Sequence, residues 1–240
     1  MCRHLAYLGA PRTLQSLVVD PAHSLYEQSW APAQQRHGTV NADGFGVGWY
    51  ADRAAPVRYR RAQPIWTDAS FASLAPTIAT SCVVAAVRSA TVGMSIDESA
   101  AAPFTHGRWL FSHTGRLSDW PTARKALLPR AADVADTRVG VDSALLFGLA
   151  LAHWEAGAPL VDGLVRAAQA ALDYGGGRLT MLGSDGAAVA GVVLGEPIYV
   201  SPSPDGVLIA SEPHGDLTWR EIADGTAVHL SREAFTEERW

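Results

Sequence analysis

The order of strand-like and helix-like patterns along the chain is the feature that most constrains its fold. Apolar alternation and β-branched runs predict strands near residues 3–8, 45–51, 56–60, 82–88 and 108–114. Apolar residues then recur at helical spacing after Asp142 and again after Pro159. Strand patterns return at residues 178–184, 187–195, around the turn at 203–206 and at 226–230, which we interpret as a meander. Strands, two helices and strands again predict an α+β fold rather than a wound parallel sheet.

Length and composition favour one globular domain over residues 1–240. The chain has 240 residues, of which 48% are apolar, and a chain of this size buries roughly 70 to 75% of its unfolded surface. The sequence shows no interdomain linker and no internal repeat. We expect the charged tail at residues 232–240 to be a solvated end.

The charge balance and the cysteine content exclude several classes of partner. The net charge is −5, from 19 basic and 24 acidic residues, so a nucleic-acid partner is not expected. Two cysteines without CxxC or histidine-rich spacing predict neither a disulfide framework nor a metal site, and they favour a reducing cytoplasm. The longest uncharged stretch, residues 69–87, contains Pro76 and five Ser or Thr residues, so we do not expect a membrane helix. The sequence gives no indication of oligomeric state.

Cys2 directly follows the initiator methionine, and we expect Met1 to be removed. Cys2 would then carry both a thiol and a free α-amine. Such an amine titrates near ~7.7 to 8.0 and a thiol near ~8.5, so the neutral amine can accept the thiol proton and release a nucleophilic thiolate. In isolation, a Met-Cys start is more often without function.

Alternate glycines mark the segment NADGFGVGWY at residues 41–50. A phosphate-binding G-x-G-x-x-G loop is rejected, because Trp49 occupies the position of the last glycine. Alternate glycines in a strand instead indicate that another backbone or a ligand approaches one face closely.

An apolar strand pattern at residues 82–88 ends in Arg88, and Thr91 follows three residues later. A guanidinium at the end of a buried strand suits a carboxylate, to which Thr91 can add a hydroxyl. A structural ion pair explains Arg88 equally well. We interpret Cys82, inside the apolar run, as an inert core thiol.

The segment WLFSHTGRL at residues 109–117 predicts a strand, and it contains two candidate functional residues, His113 and Gly115. His113 could act as a base, although a lone strand histidine is more often a packed, hydrogen-bonded residue. Asp142 precedes a helical repeat, which is typical of an N-cap.

Six motifs together carry a resemblance to a known family: MCRHLAYLGAP, NADGFGVGWY, AAVRSATVG, APFTHGRWLFSHTG, VDSALL and VLIASEP. In order and spacing they resemble the class II glutamine amidotransferase-type domains of the N-terminal nucleophile hydrolases. Within that family they are similar to the γ-glutamyl-hercynylcysteine sulfoxide hydrolases of ergothioneine biosynthesis. Ala102, where many glutaminases have a histidine before the proline, fits this subgroup better than a generic glutaminase.

The resemblance implies a four-layer αββα sandwich and a set of site residues. It assigns the nucleophile and the base to Cys2, and an oxyanion hole to Gly115 and Thr114. It assigns the substrate's α-carboxylate to Arg88 and Thr91, and its α-ammonium to Asp142. The implied reaction is hydrolysis of a γ-glutamyl amide through a thioester on Cys2, with a small-molecule substrate and with no cofactor or metal.

Thr114 departs from the family pattern, because relatives have His-Asn-Gly where this chain has His113-Thr114-Gly115. The asparagine amide normally contributes one oxyanion donor, and Asn41, the only asparagine of the chain, belongs to another motif. Loss of one such donor costs about 10² to 10³ in rate. We therefore expect a weakened hydrolase in which the Thr114 hydroxyl partly replaces the amide.

Two alternatives to a stand-alone γ-glutamyl amide hydrolase stay open at this point. One is a glutaminase that supplies ammonia to a partner synthase. The other is a binding or regulatory homologue that retained the fold after catalysis weakened.

Overall fold

A computed structural model of the chain describes residues 2–51 and 54–240, and within these the polypeptide forms two antiparallel sheets. Seven strands build the first sheet, in the order β11-β9-β10-β1-β4-β2-β3. Their bounds are β1 Arg3–Thr13, β2 Phe45–Trp49, β3 Val57–Arg61, β4 Ala79–Val87, β9 Ile198–Ser203, β10 Gly206–Ala210 and β11 Arg220–Ile222. Six strands build the second sheet, in the order β13-β12-β8-β7-β6-β5. Their bounds are β5 Phe104–His106, β6 Trp109–Leu117, β7 Gly177–Ser184, β8 Ala188–Val193, β12 Thr226–Ser231 and β13 Phe235–Arg239.

Six α-helices cover the outer faces of the two sheets within the described residues. Their bounds are α1 Leu14–Val18, α2 Leu25–Gln28, α3 Ala69–Leu74, α4 Trp120–Leu127, α5 Asp142–Glu155 and α6 Leu160–Leu172. The short helices α1, α2 and α3 pack on the first sheet, and the longer α5 and α6 pack on the second. The result is a four-layer αββα sandwich, as expected.

Strand β1 shows how the alternation of side chains builds two cores from one strand. Leu5 and Tyr7 face outward into the helix-covered core with Leu14 and Phe71. Ala6 and Leu8 face the second sheet, in a core that contains residues of both sheets. Because β1 lies in the middle of the seven-stranded sheet, its first residue starts deep in the sandwich.

The glycines of β2 are explained by the approach of the second sheet and of the segment that leads into its strand β5. A Cβ atom on Gly46 would lie 2.4 Å from the carbonyl oxygen of Ala102, and one on Gly48 would lie 2.6 Å from the Leu110 side chain. The close approach predicted for this strand is therefore confirmed, and at these two positions it is made by the protein itself.

Of two expectations about the C-terminal half, one is wrong and the other is confirmed. The strands after α6 do not form one meander: β7, β8 and β12 belong to the second sheet, whereas β9, β10 and β11 belong to the first. The charged tail is solvated, as expected, because the side chains of β13 after Phe235 are exposed. The structure adds that Phe235–Arg239 pairs with β12 as the edge strand β13.

The uncharged stretch at residues 69–87 divides between α3 and β4. Among the described residues, none of the helices has the length and apolar character needed to cross a membrane.

Candidate active site

Cys2 lies where the ends of the two sheets meet. Arg3 of β1 pairs with Val87 of β4, so one further step in this register brings Cys2 beside Arg88. The Cys2 carbonyl oxygen accepts a hydrogen bond from the Thr114 hydroxyl at 2.5 Å. Its thiol is partly exposed and contacts the carbonyl oxygen of Ser89 at 3.9 Å. The structure therefore brings together three sequence-predicted residues, Cys2, Arg88 and Thr114.

A cleft of about 420 Å³ opens beside this junction. Its lining residues are His37, Gly38, Ser89, Ala90, Thr91, Val92, Gly115, Arg116 and Arg178. The cleft thus contains Thr91 and Gly115, two further predicted site residues. Its volume falls in the range of about 300 to 1,000 Å³ that is usual for small-molecule sites.

Arg88 carries a buried guanidinium without an acidic partner. The side chain is 8% exposed, and its Nη2 donates to the carbonyl oxygen of Ser95 at 2.7 Å. Its Nη1 is buried and has no hydrogen-bond partner. Across residues 2–51 and 54–240, the ion pairs do not include Arg88, so the structural ion pair considered from sequence is not formed. A buried guanidinium with no ion pair and an unpaired N–H group favours an anionic ligand.

The segment at residues 41–44 holds the end of β4 in place. The Asp43 N–H donates to the carbonyl oxygen of Arg88 at 2.9 Å, and the Asp43 carboxylate accepts the N–H of Ala90 at 2.7 Å. The side-chain amide of Asn41 donates to the carbonyl oxygen of Gln28 at 3.0 Å. This motif therefore supports the Arg88 loop rather than supplying a second amide to an oxyanion.

Asp142 is the first residue of α5 rather than its N-cap, which is Val141. One carboxylate oxygen accepts the N–H of Leu117 at 3.1 Å, and the other accepts the N–H of Ser143 at 2.9 Å. The side chain is almost fully buried. It fastens α5 to the end of β6, two residues beyond Gly115.

The histidines near Cys2 are poorly suited to act as a base. Nε2 of His113 lies 3.0 Å from the carbonyl oxygen of Arg178, and Nδ1 lies 2.9 Å from the Ser143 hydroxyl. Both ring nitrogens of His113 are therefore engaged. Burial, reinforced by the charges of His113 and Arg3, lowers the pKa of His4 to about 3, so this ring stays neutral.

Sequence reasoning missed an ion-pair network directly behind the nucleophile. Arg3 and Glu212 are fully buried and pair at 2.5 Å between Nε and Oε1. The other Glu212 oxygen contacts Nε2 of His23 at 2.8 Å and accepts the N–H of Ala33 at 2.9 Å. The motif VLIASEP contains Glu212, but nothing in the sequence connects it to a residue 209 positions away.

The second cysteine is a core residue, as expected. Cys82 is fully buried, its sulfur lies 3.2 Å from the Ser184 hydroxyl, and burial raises the pKa of its thiol to about 12. In the described part of the chain, His, Cys, Asp and Glu side chains form no group of three or more that could hold a metal ion.

Two antiparallel sheets between helical layers, with the first strand central and its start at the cleft, define the fold of the N-terminal nucleophile hydrolases. The model of the family "Glutamine amidotransferases class-II" matches residues 24–193. The chain belongs to this family.

Relatives of similar length extend the match over nearly the whole chain. The gamma-glutamyl-hercynylcysteine sulfoxide hydrolase of Mycolicibacterium smegmatis is 43% identical over 231 residues, 96% of each chain. The protein of the same name from Mycobacterium tuberculosis is 40% identical over 237 residues, 98% of this chain and 95% of that one.

Solved structures agree on the fold. A glutamine aminotransferase class-II domain protein from Silicibacter pomeroyi superposes with a TM-score of 0.74 at 24% identity, covering 99% of both chains. The glutamine phosphoribosylpyrophosphate amidotransferase of Bacillus subtilis gives a TM-score of 0.71 at 16% identity, covering 99% of this chain and 49% of that one.

Proposed function

We propose that the protein hydrolyses the γ-glutamyl amide of γ-glutamyl-hercynylcysteine sulfoxide to glutamate and hercynylcysteine sulfoxide. Relatives with 40 to 43% identity over nearly their full length carry the name of this activity. The structural observation that carries the proposal is the position of Cys2. Its partly exposed thiol contacts the Ser89 carbonyl oxygen at the rim of the cleft, beside the unpaired Arg88.

Cys2 acts as nucleophile and, through its own α-amine, as base once Met1 has been removed. Met1 lies outside the described residues. A lone pair of the amine accepts the thiol proton, and the thiolate forms a bond to the γ-carbonyl carbon. The C–N bond of the tetrahedral intermediate then breaks, and the ammonium of Cys2 protonates the departing amine. The same amine next activates a water molecule that releases glutamate from the thioester.

Arg88, Thr91 and Asp142 bind the free end of the glutamyl group. The unpartnered Nη1 of Arg88 offers a donor to the α-carboxylate, and charge-assisted hydrogen bonds of this kind are among the strongest in proteins. Thr91 adds its hydroxyl from the cleft wall. Asp142, whose carboxylate already accepts two backbone N–H groups, supplies the negative charge for the α-ammonium. Holding both charges fixes the γ-carbonyl for attack.

Gly115 donates its N–H to the oxyanion. Thr114, which was expected to donate to the oxyanion as well, has a different role. Its hydroxyl proton is directed to the Cys2 carbonyl oxygen, so in this arrangement it is not free for the oxyanion. We therefore assign Thr114 to positioning the nucleophile. The oxyanion hole then retains the glycine donor and lacks the amide of the usual asparagine, so we keep the prediction of a weakened hydrolase.

The chain acts as one domain in the cytoplasm. A single core joins the two sheets, which supports one folding unit over residues 1–240. Both cysteines are free, which supports a reducing compartment.

The test combines intact mass with a comparison of substrates. We expect the purified protein to lack Met1, and to gain the mass of one glutamyl group on Cys2 during turnover. Glutamate release from γ-glutamyl-hercynylcysteine sulfoxide should exceed ammonia release from glutamine, and Cys2→Ala should abolish both. Full activity of Cys2→Ala would exclude the mechanism. A preference for glutamine would favour the glutaminase alternative.

A further inference from the structure

Two arginines face each other across the strands that border the cleft. Arg116 on β6 and Arg178 on β7 are direct partners in the antiparallel register. Directly opposite residues of such a pair have Cβ atoms about 4.5 to 5.5 Å apart, and like charges in this arrangement destabilise a sheet. Their pairing therefore costs the sheet some stability.

The surroundings of this arginine pair neutralise only one of its two charges. Nε of Arg178 forms an ion pair of 2.6 Å with the buried Glu196. Gly195 packs so closely against Arg178 that a Cβ atom on the glycine would lie 2.9 Å from the arginine Cγ, which holds the aliphatic stem. Arg116 is exposed, and within the described ranges it has no ion pair and no side-chain hydrogen bond. One positive charge is thus left at the cleft wall.

The position of the pair relates it to the bond that is cleaved. Ser89, which contacts the thiol of Cys2, and Gly115, the proposed oxyanion donor, line the same cleft as Arg116 and Arg178. Arg116 directly follows Gly115, and the register places the Arg116–Arg178 pair two pairs from Thr114–Thr180 and one before the last pair, Leu117–Gly177. The arginine pair therefore lies near the end of this row and shares the cleft with the proposed oxyanion donor.

We propose that Arg116 and Arg178 bind a carboxylate of the leaving group, so that the enzyme selects γ-glutamyl amides whose amine is an α-amino acid. The inference rests on the proposed function, in which Arg88 already takes the carboxylate of the glutamyl group. In an amide of an amino acid, the leaving-group carboxylate is attached to the carbon bonded to the scissile nitrogen. A cationic pair beside the oxyanion donor is placed to meet that group, and the planar guanidinium forks match its two oxygens.

The experiment compares two substrates that differ only in this carboxylate. One is γ-glutamyl-S-methylcysteine sulfoxide, and the other is the γ-glutamyl amide of 2-(methylsulfinyl)ethylamine. For each substrate, kcat and KM for glutamate release are measured with the wild-type protein, Arg116→Gln, Arg178→Gln and the double variant. Arg124→Gln, at an exposed position of α4, is the control for loss of one positive charge.

We expect the wild-type protein to prefer the carboxylate-bearing substrate in kcat/KM. Each cleft variant should reduce that preference by about 10- to 100-fold, mainly through KM, as for the loss of a charged hydrogen bond. The double variant should show no preference, and Arg124→Gln should keep the wild-type ratio.

Four outcomes would overturn the inference. Equal use of both substrates by the wild-type protein refutes carboxylate selection while leaving the proposed hydrolase intact. If the arginine variants lose kcat/KM equally on both substrates, the pair instead binds the glutamyl group or has a structural role. Failure of the wild-type protein to cleave γ-glutamyl-hercynylcysteine sulfoxide itself, with no thioester on Cys2, refutes the proposed function and this inference with it, whereas cleavage of that substrate but of neither analogue refutes selection by the carboxylate alone.

Discussion

Thr114 is the residue at which this chain departs most clearly from its family, and the structure gives its hydroxyl a definite partner. The hydrogen bond to the Cys2 carbonyl oxygen joins the nucleophile, on the first sheet, to the second sheet. We predict that Thr114→Val lowers kcat about 2- to 13-fold, because a neutral hydrogen bond contributes about 0.5 to 1.5 kcal/mol, whereas Thr114→Ser retains most activity. Steady-state kinetics with a γ-glutamyl amide checks this. Equal rates in the valine and serine variants would contradict a positioning role.

Introducing the asparagine that is usual in the family tests how much the missing amide donor would contribute. Thr114→Asn should raise kcat, by at most the 10² to 10³ that one oxyanion donor contributes. Its side-chain N–H groups can also replace the bond to the Cys2 carbonyl. An unchanged or lower rate would show that the oxyanion hole is not weakened in this chain.

Two buried histidines make stability depend on pH. Burial is the main cause that lowers the pKa of His4 to about 3 and that of His214 to about 4. As pH falls below 6.5, the unfolded chain takes up protons at both positions while the folded chain does not. The free energy of unfolding should therefore fall with falling pH, by up to about 2.7 kcal/mol per pH unit for the two groups together.

Urea denaturation between pH 6.5 and pH 5.5 measures this slope. His214→Asn should reduce the slope by about half relative to the wild-type protein. The same slope in both proteins would refute the contribution of His214 to the pH dependence of stability.

The proposed site residues that carry local patterns could be predicted from sequence, and those defined by distant contacts could not. Cys2 lies at the chain start, Arg88 at the end of a strand and Gly115 inside β6 with a positive φ, where the residue type itself limits the role. Glu212 shows no such signal, because its importance comes only from burial against Arg3. The hydrogen-bonded state of Thr114 likewise depends on how the two sheets meet.

At the scale of elements, strand β2 offers the sharpest test of packing. A Cβ atom on Gly46 meets a backbone oxygen that cannot rotate away, so Gly46→Ala should destabilise the fold by about 1 to 3 kcal/mol. Gly140→Ala is the matched control, because nothing lies within 4 Å of the added atom. Urea unfolding curves compare the two. Equal stabilities would contradict the close approach of the Ala102 backbone to β2.

Strong periodicity explains which elements the sequence predicts. The long helices α5 and α6 and the buried strands around residues 3–8, 82–88 and 178–184 were found near their observed positions. Helices α1, α2 and α3 have 5, 4 and 6 residues, too few for a helical repeat to emerge. Their N-caps Thr13, Ser24 and Asp68 were the available signal. The assignment of strands to sheets depends on long-range pairing, so the predicted meander failed.

At the scale of the molecule, Cys2 directly precedes β1 of the first sheet, whereas Thr114 and Gly115 belong to the second, so the core between the sheets sets their relative position. Leu182→Ala removes a buried side chain from that core and should cost about 2 to 5 kcal/mol and also lower kcat. Leu14→Ala removes the same group from the core under α1. It should cost a similar free energy while leaving kcat near the wild-type value. Equal effects on kcat would refute the role of the inter-sheet core.

The charged edge strand β13 has a consequence for how copies of the chain meet. An open edge of a sheet is a template for another strand, and natural proteins protect such edges with charge. Here Glu237, Glu238 and Arg239 lie exposed on the last strand of the second sheet. Glu237 is also paired with Arg220 of β11, so a strand added at this edge would have to displace water from charged side chains. The segment that completes the sandwich therefore also discourages it from growing into a neighbouring molecule.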